Sequence, residues 1–120
     1  MGMNGYIKPN WPAPSWINAA VSTRHLSEKI SDVSGFDSFN IAEHVNDNPL
    51  KVQTNRKQLI HDLNLKSTPC WLQQNHGIES VELTSHGAVA QSNEEPIVAD
   101  ASFTTLLNLP CVVMTADCLP

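Results

Sequence analysis

The chain has 120 residues, of which 41% are hydrophobic and 16% charged, and its formal net charge is −5. This composition is typical of a globular chain, and it excludes the intrinsically disordered and membrane-spanning classes. The excess of acidic side chains repels a phosphate backbone, which argues against a nucleic-acid partner. The amino terminus has no apolar core followed by a small-residue cleavage site. We therefore expect no secretory signal, no membrane association and a cytoplasmic location.

The first predicted elements are an extended segment and a strand. Residues 6–16 hold three prolines and two tryptophans, which suits an extended lead-in whose aromatic side chains cover an edge of the core. Residues 17–21 alternate apolar and polar, the period of a half-buried strand, and the strand ends in Ser22-Thr23-Arg24. An arginine at a strand end can bind an anion, but spacing alone leaves Arg24 as a surface residue.

A helix is predicted next, because Asn48 can cap its first turn and Pro49 fits the first helical position. Its apolar face predicts a helix that runs to about Asn64. The residues that form this face are Val52, Leu59, Ile60 and Leu63.

Three β-like runs and a short helix precede the last predicted strand. They are a strand over residues 70–74, a returning strand at 81–83, a run at 97–103 that contains Asp100, and a short helix at 104–109. A buried strand over residues 111–114 then delivers Asp117 and Cys118 at its carboxyl end. Open α/β sheets carry their chemistry at such ends.

Two residues at strand ends are candidates for chemistry. Cys118 follows the last strand, whereas Cys70 and Cys111 lie in apolar runs and are expected to be packed free thiols. His76 leaves the strand at 70–74, and Gly77 is expected to let the backbone curl so that the imidazole faces a cleft. The plainer interpretations are a buried thiol and a turn histidine that faces water.

These two residues are consistent with more than one chemistry. With one more nitrogen ligand they make an open zinc site, and without metal they make a cysteine nucleophile and its histidine base. Spacing does not separate these alternatives. The chain lacks His-x-His and His-Glu-x-x-His strings, which counts against a multicopper site with many histidine ligands.

Several motifs resemble the YfiH family, also called the laccase-domain or polyphenol oxidase family, and the match runs over nearly the whole chain. The Thr-Ala-Asp-Cys-Leu-Pro sequence at residues 115–120 is highly specific for this family. The other matching stretches are residues 22–24, 37–41 with His44, 47–49, 55–56, 69–77 and 99–101. The family usually has Gly-Gly after Thr-Arg, whereas His25 and Leu26 stand here, so the loop beside Arg24 is expected to differ in shape.

The resemblance implies an α/β (α+β) fold, a layered α/β/β/α sandwich with mixed sheets, related to the catalytic domain of a cytotoxic necrotizing toxin. Family members are about twice as long, so residues 1–120 are expected to form the amino-terminal half of one domain. The resemblance also implies a zinc site made by His76 and Cys118, with a third histidine ligand beyond Pro120. Copper fits this ligand set less well.

The implied function is that of a zinc-dependent purine nucleoside phosphorylase with adenosine deaminase and methylthioadenosine phosphorylase activities. Its partners are a purine nucleoside and phosphate. Arg24 and Asn40 are expected to position the substrate, and Asp117 and Gln74 to support the metal ligands.

Alternative functions are a laccase-like polyphenol oxidase, as the older family label says, and a metal-free Cys-His hydrolase or an editor of peptidoglycan precursors. A further alternative is a catalytically inactive binding or assembly module, because two protein ligands rarely retain zinc. Self-association of the chain is a further candidate interaction, and the sequence does not decide whether a second copy supplies strands.

Overall fold

The computed structural model describes residues 5–24, 39–85 and 96–115. The chain divides into two compact units, Met1–Asp62 and Leu63–Pro120, called here the first and second units. Its described elements are β1 (Tyr6–Ile7), β2 (Val21–Ser22), α1 (Pro49–Asp62), β3 (Ser80–Glu82) and β4 (Ala101–Phe103). The predicted mixed α/β class is therefore confirmed. Within the described ranges, no helix has the length and apolar character needed to cross a bilayer.

Helix α1 begins where the sequence predicts. The side-chain Oδ1 of Asn48 accepts a hydrogen bond from the backbone N–H of Leu50 at 3.0 Å, and Pro49 is the first helical residue. The helix ends at Asp62, two residues before the predicted end, and Asn64 has a φ of 51°. An asparagine in the left-handed conformation just past a helix is a common way for the backbone to leave it.

The buried face of α1 is only partly apolar. Val52 and Leu59 are buried as predicted, but Asn55 and Arg56 complete the same face. The Asn55 side-chain amide donates to the Asn40 carbonyl at 2.8 Å, and Arg56 Nε donates to the Ile41 carbonyl at 2.8 Å. These two polar residues therefore hold the segment after Phe39 against the helix, which explains their burial.

The remaining core of the first unit is built around Phe39. Strand β1 pairs antiparallel with β2, with Tyr6 opposite Ser22 and Ile7 opposite Val21. The Phe39 side chain is 1% exposed, and its ring meets the Tyr6 ring edge-on, with centroids 5.9 Å apart and an interplanar angle of 77°. The Tyr6 hydroxyl donates to Asp62 Oδ2 at 2.7 Å, which fastens β1 to the end of α1.

Two predictions for the first unit are wrong. The strand expected over residues 17–21 is reduced to Val21–Ser22, because the N–H of Ile17 closes a turn onto the carbonyl of Pro14 at 2.9 Å. Trp11 and Trp16, expected to cover an edge of the core, are exposed instead. Proline-rich backbone lacks the donors needed to join a sheet, so this segment is not drawn into the strand pairing.

The second unit is built from parallel pairings. β3 pairs with β4 in parallel, and single parallel bridges join Cys70 to Cys111 and Gln73 to Val98. The returning strand predicted at residues 81–83 therefore corresponds to β3. Its described partner is β4, and the two strands run parallel. The core cluster between these segments consists of Cys70, Leu72, Leu83, Ala99 and Leu109.

Two further predictions fail in the second unit. Residues 104–109 form a turn, in which Thr104 Oγ1 accepts from the Leu106 N–H at 3.0 Å and donates to the Leu83 carbonyl at 2.8 Å. Residues 111–114 do not form a buried strand, since Cys111 and Val113 are exposed and the backbone bridge is confined to Cys111. Cys70 is a buried free thiol, as predicted, and burial raises its pKa.

Asp62 makes the stability of the first unit sensitive to acid. Burial alone would raise the pKa of Asp62, but hydrogen bonds from Tyr6, Gln58 and His61, and the charge of His61, lower it below its usual value. A lowered folded-state pKa gives stability that is present above the unfolded pKa of about 3.9 and is lost as pH falls through the folded value. We expect the free energy of unfolding of the wild type and Asp62→Asn to differ most near neutral pH and to converge in acid. Chemical unfolding of both proteins between pH 7 and pH 2 measures this difference.

Tyr6→Phe is the matched control, because it keeps the ring against Phe39 and removes only the donor to Asp62. Tyr6→Phe is expected to lower the free energy of unfolding by about 1 kcal/mol near neutral pH. It should also make the free energy of unfolding depend less on pH in acid. A difference between wild type and Asp62→Asn that stays constant with pH contradicts the assignment.

Candidate functional site

The predicted turn after residues 70–74 exists, and His76 is its central residue. His76 is exposed and has a φ of 58°, in the left-handed region. For a residue with a side chain this conformation costs about 1–2 kcal/mol. Other interactions must therefore hold the turn in this shape.

The carboxylate of Asp100 supplies those interactions. Its Oδ1 accepts the backbone N–H of His76 at 2.9 Å, and its Oδ2 accepts the N–H of Gly77 at 2.7 Å. Successive backbone N–H groups around a left-handed residue form a concavity that binds anions, and here the anion is a side chain of the protein. The bond from Gly77, together with those from His76 and Asn75, outweighs partial desolvation and lowers the pKa of Asp100.

Asp100 was not among the site residues predicted from the sequence. The available signals were a single carboxylate between Ala99 and Ala101 in a mostly apolar β-like run, and the match of residues 99–101 to the family motifs. In the structure, this run changes partners at Asp100. Before it, Val98 bridges to Gln73, and after it, β4 pairs with β3. The His76 turn lies in the sequence between Gln73 and β3, the two pairing partners of this run. The Asp100 carboxylate, at the change of partner, can therefore reach the turn.

Gly77 is favoured by local space and not by its φ, and the nearest atom to an added Cβ is the end of the Asn75 side chain. A Cβ at this position would lie 2.8 Å from Asn75 Oδ1 and 3.4 Å from Asp100 Oδ2. The prediction that Gly77 lets the backbone curl is therefore corrected, because the left-handed residue is His76. The absence of a side chain at Gly77 allows the Asp100 carboxylate to approach the turn closely.

The imidazole of His76 is open to ligands. Among the residues that the structure describes, no hydrogen bond or ion pair to this ring is formed, although its charge acts on Asp100. This exposure agrees with a turn histidine that faces water, and it equally leaves a ring nitrogen available to a metal or a substrate. No group of three His, Cys, Asp or Glu side chains suited to a metal occurs in the described parts of the chain. Cys118 and Asp117 lie outside them.

Gln74 fastens the segment that leads to Cys118. Its Nε2 donates to the Met114 carbonyl at 3.0 Å, and its Oε1 accepts the Met114 N–H at 2.7 Å. The Gln74 side chain thus forms the two backbone hydrogen bonds that a neighbouring strand would otherwise form with Met114. The same short stretch, residues 70–77, therefore carries His76 and anchors the backbone four residues before Cys118.

Asn40 and Arg24, the predicted substrate-positioning residues, belong to the first unit. The Asn40 side chain donates to the Ala42 carbonyl at 3.1 Å and to Asp47 at 3.2 Å, and it accepts the Ala42 N–H at 3.1 Å. Arg24 is exposed, and its carbonyl accepts the N–H of Phe39 at 2.7 Å. The Asn40 amide thus shapes its own loop, and a substrate role for both residues stays a prediction.

Comparisons with known proteins give consistent matches. A family model described as multi-copper polyphenol oxidoreductase laccase matches residues 18–120. A purine nucleoside phosphorylase of Pseudomonas aeruginosa is 39% identical over 118 residues, which cover 98% of this chain and 43% of that protein. The Escherichia coli purine nucleoside phosphorylase YfiH is 41% identical over 120 residues, which cover 98% of this chain and 45% of that protein.

The fold is shared with a solved structure. The crystal structure of Neisseria meningitidis protein NMB0706 superposes with a TM-score of 0.75 at 30% sequence identity, covering 96% of this chain and 43% of that one. In each of these three comparisons, the chain spans less than half the length of the protein that it matches.

Proposed function

The chain belongs to the multi-copper polyphenol oxidoreductase laccase family, and we propose that it carries part of the active site of a zinc-dependent purine nucleoside phosphorylase. The observation that supports this most is the exposed His76 imidazole on a fixed turn, in a chain 41% identical to a protein named purine nucleoside phosphorylase. Activities on adenosine, as a deaminase, and on methylthioadenosine, as a phosphorylase, are finer parts of the same proposal. So is the layered α/β/β/α sandwich that the family resemblance implies, and the likeness to the Neisseria structure supports a shared fold.

The described donor at this site fits zinc. Imidazole nitrogen is a preferred zinc ligand, and the His76 ring makes no competing hydrogen bond among the described residues. In the proposal Cys118 supplies a thiolate, and a histidine beyond Pro120 completes three protein ligands, leaving one position open. When bound, zinc supplies Lewis-acid chemistry for phosphate or for water.

The side chains of this chain have separate tasks in the proposed reaction. In phosphorolysis a phosphate oxygen bonds to C1′ of the ribose while the bond from C1′ to the purine nitrogen breaks, and the purine leaves with a proton. Arg24 is proposed to hold the anionic phosphate, since a guanidinium matches phosphate geometry. Asn40 is proposed to position the nucleoside, and Asp117 to orient a ligand by hydrogen bonding.

Gln74 is proposed to support the metal ligands by holding the chain near them. Its two hydrogen bonds hold the backbone of Met114, four residues before Cys118 in the sequence, and we propose that this anchor restricts the thiolate relative to His76. Fixing a ligand before the metal binds reduces the entropy lost on binding, which is the usual benefit of preorganisation.

The experiment measures zinc content together with turnover. The chain is compared with an extended version in which the residues after Pro120 are those of the Escherichia coli relative. Inosine with phosphate and adenosine are the substrates, and each assay is run before and after removal of metal. We expect the extended protein to bind zinc, to release hypoxanthine from inosine only with phosphate present, and to lose activity without metal. Full turnover in the metal-free protein contradicts the proposal.

The same samples test the alternatives. Activity that survives a chelator but is lost when Cys118 is alkylated indicates a metal-free Cys-His hydrolase. Oxygen consumption with a phenol after copper loading indicates the oxidase named in the family description. Equal activity of the two chain lengths shows that the downstream histidine is dispensable.

A further inference from the structure

We propose that Asp100 is a positioning residue for His76, acting through the backbone of the turn and not through the imidazole. The inference rests on the proposed function in one respect, namely that His76 binds the metal. Asp100 lies directly before β4, and its carboxylate accepts hydrogen bonds from two consecutive N–H groups of a turn 23 and 24 residues away.

His76 adopts a backbone conformation that needs support from its surroundings. A left-handed φ of 58° at a residue with a Cβ is unfavourable by itself. The two hydrogen bonds from the turn to Asp100 are charge-assisted, and such bonds are about twice as strong as neutral ones. Their lengths, 2.9 Å and 2.7 Å, are those of well-formed bonds. Asp100 thus supplies an interaction strong enough to hold the turn in this conformation.

The backbone of Asp100 is itself held by hydrogen bonds to two segments. Its backbone N–H donates to the Glu79 carbonyl at 3.0 Å, and the preceding Ala99 is 1% exposed and donates to the Gln73 carbonyl at 3.1 Å. Both neighbouring segments therefore hold the backbone that carries the carboxylate. A side chain that is anchored in this way transmits a fixed position to the turn.

A fixed turn also restricts the side chain of His76. The Cα and Cβ of His76 are fixed once the backbone around them is fixed, so the ring retains only its two side-chain torsions. Residues that orient a metal ligand through hydrogen bonds typically change metal affinity by about 10- to 100-fold when they are removed. Asp100 performs this task from the backbone side, which leaves both ring nitrogens of His76 free of the carboxylate among the described contacts.

The test compares Asp100→Ala and Asp100→Asn with the matched control Glu82→Gln. Asparagine keeps one acceptor but faces the second N–H with its own donor, so it retains one of the two bonds. Glu82 is an exposed acid on β3, and its replacement removes the same charge without touching the turn. The unaltered chain, free of metal, is studied first by nuclear magnetic resonance.

In the metal-free chain, Asp100→Ala is expected to move the amide proton signals of His76 and Gly77 upfield. The backbone order parameter of His76 is expected to fall from about 0.85 toward 0.6. Asp100→Asn should fall between Asp100→Ala and wild type, and Glu82→Gln should match wild type. Sodium formate, compared with sodium chloride at equal ionic strength, should partly restore the Asp100→Ala signals by filling the concavity. Unchanged order at His76 in Asp100→Ala overturns the proposal.

Zinc titration then separates positioning from simple structural support. In the extended protein, we expect zinc to bind the Asp100→Ala variant about 10- to 100-fold more weakly than the wild-type sequence. Formate should recover part of this lost affinity. Wild-type zinc affinity in Asp100→Ala, despite a loosened turn, overturns the positioning role. If the wild-type and extended proteins fail to bind zinc or to turn over nucleosides, the proposed function fails, and the metal-free measurements alone decide the role of Asp100.

Discussion

Replacing His76 with asparagine in the extended protein is expected to abolish zinc retention and to lower kcat/KM for inosine phosphorolysis by about a thousandfold. A metal acting as a Lewis acid contributes several kcal/mol to the transition state, and each ~1.4 kcal/mol is a factor of ten in rate. The free energy of unfolding of the metal-free protein should change little. Asparagine tolerates the left-handed φ of 58°, and its backbone N–H still reaches Asp100.

Asparagine removes the imidazole ring but keeps the backbone turn, so the effect of losing the ring is measured by itself. Alanine would remove the ring and also disfavour the left-handed backbone, so a loss of activity would have two explanations. His61→Asn, on the exposed end of α1, is the control for removing a histidine and is expected to keep zinc and activity. Cys118→Ala should reproduce the loss seen with His76→Asn. A His76→Asn protein that is folded, holds zinc and turns over inosine normally rules out His76 as a ligand.

Replacing Phe39 with alanine is expected to destabilise the first unit by about 3–5 kcal/mol, the range for removing a buried aromatic side chain. The Phe39 side chain is 1% exposed, and the substitution also removes the edge-on contact with Tyr6 at 5.9 Å. Total stabilities of small domains are only about 5–15 kcal/mol, so this variant should be largely unfolded at moderate urea concentrations. Urea titration followed by tyrosine and tryptophan fluorescence measures the effect.

Two variants calibrate the Phe39 result. Phe39→Leu keeps most of the apolar volume and should cost clearly less than Phe39→Ala. Val21→Ala truncates a side chain that is 52% exposed and should cost well under 1 kcal/mol. Equal losses in Phe39→Ala and Val21→Ala would contradict a core centred on Phe39. Because Asn40 follows Phe39 directly, the same series tests whether the Asn40 loop depends on this core.

The helix could be predicted because its signals are local. Asn48, Pro49 and the spacing of Val52 and Leu59 act within a few residues of one another, and the structure confirms each of them. The two polar members of the buried face could not be recognised, since Asn55 and Arg56 are buried by bonds to the segment at 40–41.

The strands were predicted less well because strand formation depends on partners far along the chain. The alternating segment at 17–21 and the apolar run at 111–114 have strand-like sequences, yet pairing within them occurs only at Val21–Ser22 and at Cys111. The expected helix at 104–109 failed because Thr104 and the left-handed Asn108 favour a turn. Composition sets how readily a segment forms a strand, and the neighbouring segments available for pairing decide whether the strand forms.

The candidate site was predicted in part. A histidine before a glycine at the exit of a β-like run indicated the His76 turn, and the structure places that turn where it was expected. Asp100 was not predicted because nothing within its own run reveals a bond to a turn 24 residues earlier. The proximity of Cys118 to His76 remains a prediction, since Cys118 lies beyond the described ranges.

The Gln74 contact to Met114 also has a consequence for the order of folding. It joins residues 40 positions apart, and the Asp100 contact to His76 spans 24, whereas α1 closes its bonds over four residues. Contacts between distant residues form slowly, because a long loop must close before they contribute any energy. We therefore expect α1 to acquire structure early in refolding, and the His76 turn and the Met114 segment to become ordered in the slowest step. Pulse-labelling hydrogen exchange at the amides of Gly77 and Met114 would report the moment at which the site is assembled.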